Sequence, residues 1–184
     1  MYEKVKSILN KKNDIEATVS KFRIPRWEEL PEVDLYLDQV ISLIDNSIGV
    51  FINDKNKKAL TKTMVNNYVK QKTIEAPVNK KYNKQAVASL VVIAMLKPVF
   101  SIGEIGELIV LALEANDRAV SYNQFCQVIE DAVESVFTGK ELCGKGELNH
   151  PQYILRNVAR TFACKLYTKK TCFELIDQAR ENEV

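Results

Sequence analysis

The stretch LTKTMVNNYVKQKTIEAPVNKKY, Leu60 to Tyr82, holds five lysines and one acid, Glu75. Within it Lys62, Thr63, Asn66, Asn67 and Lys70 are side chains suited to a polyanion with a readable edge. An asparagine amide donates and accepts at once, which matches the adenine edge in a major groove, and lysine reaches guanine or phosphate. Lys80, Lys81 and Tyr82 close the stretch, and lysines placed there can hold phosphates and set the register of a neighbouring helix. These eight residues are the candidate DNA-binding set, and the partner they imply is double-stranded DNA.

Such chemistry needs a helix that turns these side chains outward. Thr61 is a good N-cap, and the pattern predicts a helix from there to about Gln71. Met64, Val65, Tyr68 and Val69 would face inward. Lys62, Asn66 and Lys70 then lie four residues apart on the opposite face, flanked by Thr63 and Asn67. Pro77 and Asn79 mark a turn that leads into the basic hook.

The surrounding elements read as helical. Asn83 caps a strongly apolar helix that reaches Leu96 and is ended by Pro98. Ser101 with Glu104 is a capping box opening a helix to about Asn116, and Ser121 with Gln124 is a second, opening a helix to about Phe137. TGKELCGKGELNHP is a loop, and Pro151 sits where a last helix can begin. Upstream, Tyr2 to Lys12 is a weakly amphipathic helix, and KFRIPRWEELP is an extended linker anchored by Trp27. Leu35 to Ile48 carries a helical pattern through Leu35, Val40, Leu43, Ile44 and Ile48. The expected fold is all-α, a winged helix-turn-helix unit plus additional helices, with at most a very small β wing. The expected organisation is an N-terminal arm over 1–30, a DNA-binding unit over 31–116 and a C-terminal helical region over 117–184, serving dimerisation or an effector.

The chain of 184 residues carries a formal charge of only +2, but the charge is unevenly spread. Residues 55–97 hold 10 basic and 1 acidic side chains, whereas residues 98–151 hold 3 and 9. Local blocks of this kind steer partners more than net charge does. The lysines of the basic block are expected to be unpaired within the protein, their counter-charge being a nucleic-acid backbone.

Other chemistries are poorly supported. MYEKVKSILNKKND has neither the apolar run nor the cleavage site of a secretory leader, and the longest apolar run, Ala86 to Leu96, is too short to cross a bilayer. A cytoplasmic protein with reduced thiols and no membrane partner is therefore expected. The cysteines are Cys126, Cys143, Cys164 and Cys172, with no CxxC pair; Cys126, Cys164 and Cys172 read as core residues. Cys143, in a loop near Lys140 and Lys145, is the thiol best placed for redox chemistry. GKELCGKG, Gly139 to Gly146, resembles a phosphate-binding loop but ends in glycine where the magnesium-binding hydroxyl belongs. His150 has no acid or nucleophile close by in sequence. The acids show no metal-ligand spacing. Neither an enzyme nor a cofactor is expected.

From Leu60 to Leu111 the sequence resembles the DNA-binding module of MerR-type regulators. The features that carry the resemblance are MVNNYVK, Pro77, KKY, the helix capped by Asn83 and FSIGEIGELI. Lys80 and Lys81 stand where arginine is usual in those proteins, and the turn after MVNNYVK lacks the usual glycine. A closer resemblance, over roughly residues 25 to 135, is to the bacterial family called domain of unknown function 1836. It rests on LYLDQV (Leu35 to Val40), LTKTMVNNYVK (Leu60 to Lys70) and KKY (Lys80 to Tyr82). These resemblances imply a sequence-specific transcriptional regulator. One short recognition helix reads few base pairs, so a homodimer on a two-fold site is expected, with an unidentified small-molecule effector as a further partner. The alternative is a helical protein-interaction module that uses the basic face on an acidic partner.

Overall fold

The computed structural model describes residues 19, 21–52, 58–140 and 148–173. They form six main helices: α1 (Leu37–Ile44), α2 (Lys62–Lys70), α3 (Lys84–Leu96), α4 (Ile102–Ala115), α5 (Arg118–Thr138) and α6 (His150–Thr168). α1 runs on through a π turn into a short helical turn at Val50–Ile52, and α6 ends in a π turn at Lys169–Phe173. Two short strands, β1 (Leu35–Tyr36) and β2 (Lys81–Tyr82), pair antiparallel with Leu35 opposite Tyr82 and Tyr36 opposite Lys81. The fold is all-α with a minimal β element, as the sequence predicts. The expected N-terminal helix over Tyr2 to Lys12 lies outside the described residues, as do Cys143 and most of the phosphate-loop-like segment.

α3 is apolar around its whole circumference, and such a helix has to be buried on all sides. Nine of its residues are buried, from Ala86 to Leu96, with Leu90, Ile93 and Met95 fully enclosed. The caps that start the helices are local and legible. Thr61 Oγ1 accepts from the Met64 N–H at 3.3 Å, and Asn83 Oδ1 accepts from the Ala86 N–H at 2.8 Å. Ser101 and Glu104 form the expected reciprocal capping box. Asn149 caps α6 with a second such box, and Pro151 lies in its first turn.

Three expectations are corrected. Leu35 belongs to β1 and not to the following helix, because Tyr82 takes it as a cross-strand partner. α5 starts at Arg118, capped by Asp117 Oδ1 on the Val120 N–H at 2.9 Å. Ser121 thus lies inside the first turn, where its hydroxyl donates to the Ala112 carbonyl at 2.8 Å and ties α5 to the end of α4. Cys164 and Cys172 are exposed, since α6 buries the stripe Val158, Ala159, Phe162, Ala163 and Leu166. Only Cys126 of the three is in the core, and burial pushes its thiol up to about 12, which leaves it unreactive.

The linker before β1 is held against α5 by a partly buried ion pair. Arg26 donates to both Glu130 oxygens, at 2.7 and 2.6 Å, and the Ile24 N–H donates to the same carboxylate at 2.7 Å. Next to it the Trp27 N–H donates to Asn123 at 2.8 Å, and the Trp27 ring meets Tyr122 edge-on, centroids 6.2 Å apart. One buried cluster spans the helices on both sides of residue 117. Removing one partner of such a pair leaves the other charge stranded. Arg26→Ala is therefore expected to destabilise the protein by about 2 kcal/mol, read as a shift in urea midpoint at constant m-value.

Candidate nucleic-acid interface

The candidate residues sit on two adjoining features, α2 and the turn before β2. α2 packs against α1, and its buried side chains are Val65 and Tyr68, with Met64 and Val69 half-buried. Lys62, Thr63, Asn66, Asn67 and Lys70 are all exposed, which is the outward face that the four-residue spacing predicts. The start of α2 is fixed from below by Lys97, at the end of α3. Its ammonium donates to the Ala59 carbonyl at 2.7 Å and lies 3.2 Å from the Met64 sulfur. Burial lowers the pKa of this amine.

The basic hook is a two-residue hairpin. Val78 and Lys81 exchange backbone hydrogen bonds of 3.0 and 2.9 Å, and the two residues between them, Asn79 and Lys80, have φ of 50° and 66°. Positive φ at both central positions is the type I′ arrangement, whose twist suits a hairpin and which favours Asn-Gly. Here lysine stands at the glycine position. α2 ends in a related way. The Thr73 N–H bonds the Tyr68 carbonyl and the Lys72 N–H bonds the Val69 carbonyl, each at 3.0 Å, while Lys72 takes φ of 58°. That is a Schellman ending with lysine where glycine is preferred. Both Lys72 and Lys80 are exposed.

Not all of the lysines keep a free charge, which corrects the expectation of an unpaired block. Lys62 pairs with Asp38 at 2.7 Å, Lys58 with Asp45 at 3.1 Å, and Lys84 with Glu32 while lying over the Trp27 ring. The acids come from α1, its continuation and the linker, segments whose folding against α2 and α3 local sequence does not reveal. The Lys62–Asp38 pair is exposed on both sides, so it contributes less than about 1 kcal/mol and yields readily to another anion. Lys81 is half-buried and lies over the Tyr36 ring, 5.2 Å from its centroid. Lys70, Lys72 and Lys80 have no ion-pair partner among the described residues. Tyr82 is 3% exposed, so its ring supports the hairpin from beneath and does not stand on the surface. Lys72 is a member of the cationic set that sequence reading missed, because a helix ending without glycine gives no local signal of a left-handed residue.

The described residues of α2, the hairpin and α3 all fall within the region matched by a family model, residues 25–129. The chain belongs to the family called domain of unknown function 1836. No curated protein and no solved structure matches it. The family region takes in the linker from Pro25 on, both strands, α1 to α4 and the first half of α5, and leaves α6 outside. Among the described residues no helix is long and apolar enough to cross a membrane.

A lysine in left-handed backbone carries a cost that glycine avoids, on the order of 1–2 kcal/mol, partly offset by the greater freedom of glycine in the unfolded chain. Lys72→Gly and Lys80→Gly are each expected to stabilise the fold by about 0.5–1 kcal/mol. Thermal or urea denaturation of the two variants checks this; a loss of stability in either would contradict the turn geometry.

Proposed function

We propose that this protein is a sequence-specific DNA-binding transcriptional regulator that uses a MerR-like winged helix-turn-helix. α2 is the recognition helix, laid in the major groove with Asn66, Asn67 and Thr63 toward base edges. The hairpin at Asn79 and Lys80 is the wing, set on the flanking phosphates. A homodimer supplies two such units to a two-fold site.

The observation that supports this reading is the pair Lys72 and Lys80. Each occupies a left-handed position at a turn bordering the exposed polar face of α2, and neither has an ion-pair partner among the described residues. A solubilising lysine needs no such place, whereas phosphate contacts need a cation at a fixed point on a rigid turn. Lys70, at the end of α2, is a third cation with no ion-pair partner among the described residues. Asp38 is exchangeable for a phosphate at Lys62, because that pair is exposed and weak.

The electrostatic part is tested on random duplex DNA. Log affinity should fall with log salt by about 0.9 for each phosphate neutralised, so Lys70→Ala combined with Lys80→Ala should lower the slope by about 2 and weaken all sequences alike. An unchanged slope removes these lysines from the interface.

Specificity is tested by binding-site selection. Asn66 lies between Lys62 and Lys70 on one face, which makes it the base-reading residue. Asn66→Ala should lose about 1–3 kcal/mol of preference at one site position while its salt slope stays as in the parent. A module directed at an acidic protein would enrich no motif from the random pool, and that result in the parent would overturn the regulator reading.

A further inference from the structure

α4 is unusual among the helices for how little it buries. Its sequence, IGEIGELIVLALEA, is mostly apolar, yet Ile105 is its one buried residue. Leu108, Ile109, Leu111 and Leu113 are half-buried. The reason is a cleft of about 250 Å³ between α4 and the helices α3, α5 and α6, lined by these four residues together with Leu155 and Val158. An apolar cavity of about 150 Å³ is enough to hold benzene, and such cavities stay dry without a ligand. A cleft of this volume takes roughly ten non-hydrogen atoms by the same scale.

The cleft has one cationic lining residue, Arg118, in the first turn of α5. Its side chain is about one-third exposed, and its guanidinium makes no hydrogen bond to any described residue. The nearest carboxylate, Glu75, stands 3.9 Å away, at the outer limit of an ion pair. The guanidinium keeps access to solvent, and a carboxylate in the cleft would engage its planar fork with two parallel hydrogen bonds that Glu75, at 3.9 Å, does not make. Ser89 lines the same cleft from α3 and is half-buried.

We infer that this cleft is a binding site for a small amphipathic monocarboxylate, its apolar tail among the α4 and α6 side chains and its head on Arg118. None of the candidate DNA-binding residues lines this cleft, and the inference goes beyond the proposed DNA reading. A neutral tail of the same length would gain the apolar burial but leave the guanidinium unanswered. A short carboxylate would gain the head contact but leave the cleft unfilled.

The test is calorimetry on the full chain without DNA, with octanoate, 1-octanol and acetate as probes. Octanoate should bind with a stoichiometry of one per chain, 1-octanol at least tenfold more weakly, and acetate not measurably. Arg118→Gln should cost octanoate tenfold or more in affinity and leave 1-octanol unchanged. Ser89→Leu, which adds apolar volume to the cleft wall, should abolish octanoate binding while its thermal midpoint shows that it is folded. Absence of octanoate binding in the parent, equal affinity for 1-octanol, or unaltered octanoate affinity in either variant would each overturn the assignment.

Discussion

The structure depends on the burial of α3. A thirteen-residue helix with no polar face has no stable place at a surface. Each large aliphatic side chain that it removes from water contributes roughly 1.5–3 kcal/mol, so the rest of the chain is arranged to cover it. The β1–β2 pair lies at the end where Asn83 starts the helix, and the start of α2 is tied through Lys97 to the end where it finishes. α4, α5 and α6 follow on and share its core. The turn before α3 is therefore anchored at the residue where the helix begins, with Tyr82 buried directly before the cap. A hairpin fixed in this way is a rigid presentation of Asn79 and Lys80.

Charge in this protein is sorted by tertiary packing. The lysine-rich block looks uniform along the chain, but folding divides it. Glu32, Asp38 and Asp45 reach Lys84, Lys62 and Lys58 from another part of the sequence. Among the described residues of the block, Lys81 lies over a tyrosine ring and Lys97 on a backbone carbonyl, and the three lysines with neither an acid nor such a contact are on the exposed end of α2 and on the two left-handed turns. Two of these three sit in backbone that a lysine adopts only at a cost, so stability alone does not account for their placement. The linker clamp works in the opposite sense. Arg26 and Glu130 satisfy each other, and the same carboxylate also accepts from a backbone amide, so that charge is structural.

The loosely packed side of α4 has a different origin. Its helix is long and apolar enough to serve two neighbours, yet its inward face meets a cleft where a closely packed core would have side chains. Ser121 pins its last turn to α5 at that end. Close packing is the rule in protein interiors, and the departure from it lies beside Arg118, whose nearest carboxylate stands at the limit of an ion pair.

The sequence by itself determined the helical class, the outward polar face of α2, and the caps at Thr61, Asn83 and Ser101. Each of these rests on contacts within one turn of helix, so spacing is enough to read them. β1 was not legible, since Leu35 and Tyr36 are strand only because Lys81 and Tyr82 lie beside them. The start of α5 was misplaced because Asp117 and Ser121 are both competent caps, and packing against Ala112 selected the first. The left-handed Lys72 and Lys80 gave no glycine signal. Most of all, only the tertiary structure decided which lysines are free. Ion pairing joins residues far apart in sequence, and nothing in the local pattern around Lys62 or Lys84 differs from that around Lys70 or Lys80 in a way that announces a distant carboxylate.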